Sequence, residues 1–134
     1  MRRVDYEAFY HSDLDTWVKK QDKNLVIGIT DWAQSVIGNI TALHDLPENG
    51  KELIQNMLLC EIESDKTTSE ILIPLGGKVI AINDALNHFP NLLNEDCYDR
   101  GWVLKISSSN ISQLDQFMSA YQYEQAISSF FKKS

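Results

Sequence analysis

Residues 61–70 read EIESDKTTSE and place Lys66 near the middle of a short polar segment. Apolar runs typical of strands flank the segment, NMLLC at 56–60 and ILIPL at 71–75. Two such runs joined by a short polar segment predict a β-hairpin with Lys66 at its tip. A charged residue on an exposed turn adds little stability. This lysine is therefore either an idle surface charge or a point of attachment.

The composition is that of an ordinary globular chain with an acidic balance. The chain has 134 residues, a formal net charge of −7, 43% hydrophobic residues and 23% charged residues. This length predicts one domain over residues 1–134. The lack of a basic block argues against nucleic-acid binding, which depends on Lys and Arg neutralising phosphates. No apolar run approaches the ~20 residues of a membrane span, and no secretory signal is evident. We expect a cytoplasmic protein that binds neither nucleic acid nor membrane.

The cysteines and histidines do not form a recognisable reactive set. Cys60 and Cys97 lack the spacing of a disulfide framework or a metal site. The three histidines stand singly at positions 11, 44 and 88. The chain also lacks a nucleophile elbow, a P-loop and a dinucleotide-binding fingerprint. We therefore expect a protein that is not an enzyme.

The local patterns predict a mainly β chain with a small helix in its first half. Thr30 is a suitable N-cap and Gly38 a suitable C-terminal stop for this helix. Its Trp32 and Ile37 should pack inward. The runs with strand character are 16–20, 24–30, 39–46, 57–82 and 101–106.

Near the C-terminus, the spacing predicts an amphipathic helix that begins after Asn110. Leu114, Phe117, Met118 and Tyr121 fall at i, i+3, i+4 and i+7, so they should form one buried stripe.

A short motif occurs twice. Residues 47–51 and 74–78 both read P-x-x-G-K, and Lys66 lies between the two copies. Two similar turns around a central hairpin favour a β-sandwich of two similar halves that join at the hairpin.

A lysine on a rigid, exposed turn is suited to carrying a cofactor on a long tether. Such a tether lets one reactive group visit several active sites and raises its effective concentration at each. Acidic neighbours can serve as recognition marks for the enzyme that attaches the cofactor. Here Glu61, Glu63, Asp65 and Glu70 surround Lys66.

The segment IESDKTTSEILIP resembles a lipoyl-attachment hairpin, and the wider chain resembles the H protein of the glycine cleavage system. The resemblance covers about residues 14–127, which leaves residues 1–13 as an N-terminal extension. It implies a lipoyl/biotinyl-type barrel-sandwich hybrid with a small N-terminal-side helix and a C-terminal helix. The matching blocks, in order, are GITDWAQSVIGNI, DLPENG, IESDK, GGKVIAINDAL, PNLLNEDCY and GW.

The resemblance assigns a role to each site residue. Lys66 would bear lipoic acid, and Glu63 and Gly50 would mark it for the lipoate ligase or lipoyltransferase. Glu70 and Asp65 would contact the arm or its partners. No residue of the chain would be catalytic or bind a metal.

The resemblance also implies a function and a set of partners. Lipoyl-Lys66 would accept the aminomethyl group of glycine from glycine decarboxylase, the P protein. It would present that group to the aminomethyltransferase, the T protein, and be reoxidised by dihydrolipoamide dehydrogenase, the L protein.

Two related families match less well. Biotin carriers resemble Met-Lys-Met at the tip, whereas Asp65 and Thr67 flank the lysine here. Lipoyl domains of 2-oxoacid dehydrogenases resemble the Asp-Lys-Thr tip more closely than most H proteins do. Those domains stop near eighty residues, however, and lack the GITDWAQ block and the terminal helix.

The chain departs from the H-protein pattern at several positions. Asp15, Thr16 and Trp17 stand where the family usually has His-Glu-Trp, and that glutamate lines the cleft that holds the loaded arm. Val36 replaces a histidine found in some members, and Asn39 replaces a common acid. The Asp-Lys-Thr tip and the missing His-Glu before Trp17 keep open an H-like lipoyl carrier outside glycine cleavage, in a lipoyl relay, redox or sulfur pathway. A protein-interaction module without a cofactor is a third hypothesis.

Overall fold

The computed structural model describes residues 3–132, without the side chains of residues 130–132, and is mainly β. Within this range the chain forms nine strands, four α-helices and one 3₁₀ helix. The strands are β1 (Phe9–Tyr10), β2 (Thr16–Gln21), β3 (Asn24–Ile29), β4 (Ile40–His44), β5 (Glu52–Leu53), β6 (Leu58–Ser64), β7 (Thr68–Leu72), β8 (Gly77–Ile82) and β9 (Leu104–Ser107). The α-helices are α1 (Asp31–Ile37), α2 (Ala85–His88), α3 (Leu92–Glu95) and α4 (Ala120–Lys132), and the 3₁₀ helix is Ile111–Gln116.

The strands form two antiparallel sheets around one core. One sheet has six strands in the order β1-β2-β3-β9-β8-β5, and the other has three in the order β4-β6-β7. Ile27 and Ile106 from the larger sheet and Ile62 and Ile71 from the smaller one belong to the same buried cluster. Apolar residues on the facing sides of two sheets make a sandwich. The predicted mainly β class with a small helix and a C-terminal helix is confirmed.

The two P-x-x-G-K segments meet in the larger sheet. Strand β5 pairs with β8, with Glu52 opposite Lys78. Just before β5, the amide of Gly50 donates to the carbonyl of Val79 at 2.8 Å. The amide of Val79 donates in turn to the carbonyl of Lys51 at 2.9 Å. The repeated motif therefore forms an antiparallel joint between the two halves of the chain.

Helix α1 begins and ends where the sequence predicts. The amide of Ala33 donates to the hydroxyl of Thr30 at 3.1 Å, which satisfies one free donor of the first turn. The chain leaves the helix at Gly38, whose φ of +97° favours glycine. Ile37 is buried and Trp32 is partly buried against the core, so both pack inward as expected.

The prediction of one continuous helix after Asn110 is wrong. The chain forms the short 3₁₀ helix instead and then runs extended at Phe117. The backbone of Met118 makes two hydrogen bonds of 2.9 Å with the backbone of Tyr10. Because the amide and carbonyl of Met118 are used in this bridge to β1, no helix can pass through it.

The buried stripe of α4 also differs from the predicted one. Tyr121 is 68% exposed, whereas Ala120, Tyr123 and Ile127 are buried. Val4, Ala8 and Tyr10, from the predicted extension, are buried too. Within residues 3–132, no helix combines the length and apolar character that a bilayer crossing requires.

Candidate functional site

The predicted hairpin is present, and Lys66 lies at its tip. Strands β6 and β7 pair antiparallel up to Glu63 opposite Thr68. The amide of Ser64 donates to the carbonyl of Thr67 at 2.8 Å and closes the turn. Lys66 is exposed. An enzyme that modifies the amine could therefore reach it.

The turn is held rigid by the hydroxyl group of Ser64. This oxygen accepts hydrogen bonds of 3.2 Å from the amides of Lys66 and Thr67. The same hydroxyl donates to the carbonyl of Ile37, in the last turn of α1, at 2.7 Å. One side chain thus fixes the shape of the turn and joins it to the helix.

Two further hydrogen bonds tie the tip to the end of α1. The amide of Asp65 donates to the carbonyl of Asn39 at 3.0 Å, and the amide of Asn39 donates to the Asp65 carboxylate at 3.2 Å. The stem of Lys66 then passes over Gly38. A Cβ atom placed on Gly38 would lie 3.3 Å from Cδ of Lys66 and 3.4 Å from Cε. Gly38 therefore ends the helix and leaves room for the base of the lysine arm.

Asn94 on α3 supports the segment around Gly38 that the Lys66 stem contacts. Its side-chain amide donates to the carbonyl of Gly38 at 2.8 Å and to the side chain of Gln34 at 2.9 Å. Its side-chain oxygen accepts from the amide of Ile40 at 2.9 Å. Asn94 therefore fixes the segment between α1 and β4 on which the hairpin tip rests.

Glu63 lies on the outer face of the smaller sheet, three residues before Lys66. Its carboxylate is 3.1 Å from Nε2 of His44 on β4. Both side chains remain about half exposed, at 51% and 47%. Glu63 is thus oriented by a neighbour and still accessible to a partner.

The outer face of the smaller sheet beside the tip carries acidic side chains, and their arrangement does not stabilise the strand pair. Glu61 on β6 lies directly opposite Glu70 on β7, and His44 is the partner of Glu61 on β4. Like charges opposite each other weaken a strand pair. A recognition role would account for carboxylates in these positions.

Gly50 lies apart from the hairpin, in the turn that precedes β5 of the larger sheet. Its φ is +88°, and a Cβ atom there would meet nothing within 4 Å. Substitution would therefore be disfavoured by backbone strain and not by crowding. Of the predicted site residues, Lys66, Glu63, Asp65 and Glu70 share one hairpin, and Gly50 belongs to the other sheet.

Neither cysteine is placed for nucleophilic chemistry. Cys60 and Cys97 are both buried and form no disulfide. Burial raises the pKa of the Cys60 thiol to about 12, so it is protonated at neutral pH.

A cavity of about 530 Å³ lies between α1 and α4. Trp32 and Ser35 line it from α1, and Tyr123 and Ile127 line it from α4. Seven helical residues span about 10 Å. The cavity therefore lies within about 10 Å of the end of α1 over which the Lys66 stem passes.

Thr16, the main departure from the H-protein pattern, is completely buried. Its hydroxyl oxygen has no hydrogen-bond partner among the described residues. It therefore adds neither charge nor accessible surface to any cleft at this position.

We expect Thr16→Val to stabilise the protein by about 1–2 kcal/mol, because it keeps the side-chain shape and removes a buried hydroxyl that no described residue pairs with. Thr30→Val is the matched control. Thr30 is also completely buried, but its hydroxyl accepts from Ala33 and donates to the carbonyl of Leu14. That variant should lose about 1–2 kcal/mol. Urea unfolding of both variants would measure the two effects. A change of stability in the same direction for both would contradict the difference in hydrogen bonding between Thr16 and Thr30.

Asp15, next to Thr16, should make the stability of the folded chain depend on pH. Burial, aided by Asp13, raises the pKa of Asp15 from 3.8 to about 6, while His11 opposes the rise. The folded chain therefore binds more protons than the unfolded chain between about pH 4 and pH 6, and stability from this group falls with rising pH across that range.

Asp15→Asn should remove this fall, because the amide does not ionise. The variant should gain stability relative to the wild type as the pH rises from about 4 to about 7. Urea unfolding at intervals across this range would measure the difference in free energy. Parallel curves for the two proteins would contradict the raised pKa.

A two-sheet sandwich that presents one lysine on a rigid hairpin defines a lipoyl-type carrier fold. A crystal structure of a glycine cleavage system H protein from Mycobacterium marinum has this fold, with a TM-score of 0.82 at 23% identity. The match covers 93% of this chain and 99% of that one.

Comparisons of sequence identify the family. The family model described as Glycine cleavage H-protein matches residues 9–130. The glycine cleavage system H protein of Anoxybacillus flavithermus is 42% identical over 117 residues, which cover 87% of this chain and 91% of that protein. A probable glycine cleavage system H protein of Thermococcus gammatolerans is 42% identical over 125 residues and 92% of each chain. The chain belongs to the glycine cleavage H-protein family.

Proposed function

We propose that this chain is a lipoyl carrier of the glycine cleavage system and that lipoate is joined by an amide bond to Nζ of Lys66. The observation that carries the proposal is the exposed lysine on a hairpin clamped to α1, in a chain of this family. The whole chain would act as one carrier domain in the cytoplasm. It contributes no catalytic residue, because the chemistry belongs to its partner enzymes.

The residues around the tip fit a lipoyl arm. Gly38 leaves space for the stem of Lys66, and Ser64 and Asp65 fix the turn from which the arm projects. When bound, lipoate supplies a disulfide that accepts the aminomethyl group of glycine. The walls of the cavity between α1 and α4, including Trp32 and Ile127, would exclude water from that group.

The partners follow from the carrier role. Glycine decarboxylase would load the arm, an aminomethyltransferase would unload it, and dihydrolipoamide dehydrogenase would reoxidise it. Glu70 is exposed on the outer face of β7 and would contact these enzymes. The role of Asp65 is narrower, since its backbone and carboxylate already hold the tip against Asn39.

A lipoate ligase or lipoyltransferase would recognise the hairpin before the arm is attached. Glu63 is the recognition residue nearest the lysine, and His44 directs its carboxylate. Gly50 would act through the shape of its turn, since its φ of +88° favours glycine there.

Lipoylation of the purified chain tests the attachment. After incubation with a lipoate ligase, ATP and lipoate, intact mass should increase by one lipoyl group, and peptide mapping should place it on Lys66. An unchanged mass, or a lipoyl group on another lysine, would overturn the assignment. An unmodified chain would also revive the hypothesis of an interaction module without a cofactor.

A carrier outside glycine cleavage is the second candidate. Its support is the absence of the charged side chain that the family places at position 16, where buried Thr16 stands. Val36, 58% exposed on α1, likewise offers no polar group. This candidate predicts a lipoylated chain that glycine decarboxylase does not use.

A further inference from the structure

The larger sheet bears a cleft of about 500 Å³ with a basic lining. It includes four of the chain's twelve lysine and arginine residues, although the chain carries a net charge of −7. We call it the basic cleft and define it by Lys19, Lys20, Arg100, Lys105 and Trp102.

The basic cleft lies on the outer face of this sheet. Lys19 on β2, Val26 on β3 and Lys105 on β9 are partners in one row across three strands. Residues in one row share a face, and the alternate residues Leu25 and Ile27 are buried in the core. The side chains of Lys19 and Lys105 therefore point away from the core of the sandwich. Lys20 lies in the row of Leu25, but at the exposed end of β2, and it lines the cleft from there.

The positive charges in the cleft are held apart. Two strand spacings separate the backbones of Lys19 and Lys105 by about 10 Å. The Lys19 ammonium is fixed by the Asp5 carboxylate at 2.7 Å. The Lys105 ammonium lies 4.9 Å from the centre of the Trp102 ring, in cation–π contact. These two charges are therefore not free to converge on one small anion.

Much of this charge is not neutralised within the described part of the chain. Asp99, one of two carboxylates that line the cleft, lies 3.7 Å from the already paired Lys19. The other is Glu7. Neither Lys20 nor Lys105 has a carboxylate within ion-pair distance among residues 3–132. Arg100 pairs with Asp96 but is 69% exposed.

We propose that the basic cleft docks an acidic segment of a partner protein. Carboxylates spaced along a chain can each meet one of these separated cations, whereas a single phosphate group cannot. The partly buried ring of Trp102 would add apolar contact beside the charges. Such complementarity raises the rate of encounter and selects the partner.

Docking at the basic cleft would leave the lysine hairpin free. The hairpin belongs to the smaller sheet, and the outer faces of the two sheets of a sandwich point in opposite directions. A partner held at the larger sheet would therefore keep the carrier nearby while Lys66 reaches an active site, which raises its effective concentration there. The docking itself does not require lipoylation.

The test is titration of the full-length chain with a short peptide of alternating Glu and Ser at about 0.15 M ionic strength, followed by amide chemical shifts. We expect the largest shifts in β2 and β9 and a Kd that Lys20→Glu with Lys105→Glu weakens about tenfold or more. The control is Lys51→Glu with Lys78→Glu, which changes the net charge equally at exposed sites outside the cleft. It should alter Kd less than about twofold.

Three results would overturn the proposal. One is an equal loss of affinity in the control, which would show an effect of net charge alone. Another is a failure of the peptide to bind at the cleft, seen either as shifts centred elsewhere or as no shifts at all. The third is tighter binding of inorganic phosphate than of the peptide, which would define a small-anion site instead.

Discussion

Lys66→Arg is expected to abolish carrier activity completely and to leave the fold intact. Guanidinium cannot form the lipoyl amide, whereas its positive charge and long stem preserve the surface of the tip. Because Lys66 is exposed, the free energy of unfolding should change by less than about 0.5 kcal/mol. Glycine-dependent reduction of NAD⁺ in a system reconstituted with the three partner enzymes would measure the activity.

Lys78→Arg provides the control for this prediction, because Lys78 is also exposed but lies on β8 of the other sheet. It should retain wild-type activity and accept one lipoyl group. Activity in the Lys66→Arg protein would eliminate the carrier mechanism. Equal loss in both variants would show that the effect is not specific to the hairpin.

Trp17→Ala is expected to destabilise the protein by about 3–5 kcal/mol, the largest effect on folding that we predict. Trp17 is completely buried on β2, and its indole donates to the carbonyl of Cys97 at 3.1 Å. The ring also occupies the space above Gly28 on β3, where any Cβ atom would overlap it. Its loss would leave a cavity and release the segment around Cys97 from the sheet.

Urea unfolding would measure this loss, with Trp102→Ala as a control of the same residue type. Trp102 is only partly buried, so its removal should cost about 1–2 kcal/mol. Equal costs for the two tryptophans would contradict the central packing role of Trp17. Gly28→Ala should also destabilise the chain, by about 1–3 kcal/mol, because the same space would be overfilled.

Features set by neighbouring residues could be predicted from the sequence. The hairpin follows from two strand-like runs around a polar turn, and α1 follows from Thr30 and Gly38 at its ends. The predicted start of the C-terminal helix is wrong, because the spacing of Leu114 to Tyr121 reflects only local periodicity and carries no information about a distant strand. Met118 pairs with Tyr10, more than a hundred residues earlier, and that contact overrides the local periodicity.

The contacts that support the lysine tip likewise could not be predicted from the local sequence. Lys66 and Glu63 could be recognised from the segment around them, but the contacts that hold the tip come from elsewhere in the chain. Ser64 reaches the carbonyl of Ile37, and Asn94 reaches that of Gly38. Nothing in the short α3 segment distinguishes Asn94 from a surface residue. The sequence predicted Gly38 as a helix end, and only the fold places the lysine stem above it.

Thr16 shows what the structure adds to a departure noticed in the sequence. The sequence indicates a lost charge, and the structure shows a buried hydroxyl that has no hydrogen-bond partner among the described residues. Shelter for a loaded arm would then depend on other walls, such as those of the cavity between α1 and α4.

The most direct test of the central claim is glycine–bicarbonate exchange by glycine decarboxylase, with the chain shown by intact mass to be lipoylated. The account predicts exchange with the lipoylated wild type and none with Lys66→Arg. No exchange from the lipoylated wild type would contradict a role in glycine cleavage and favour a lipoyl carrier of another system.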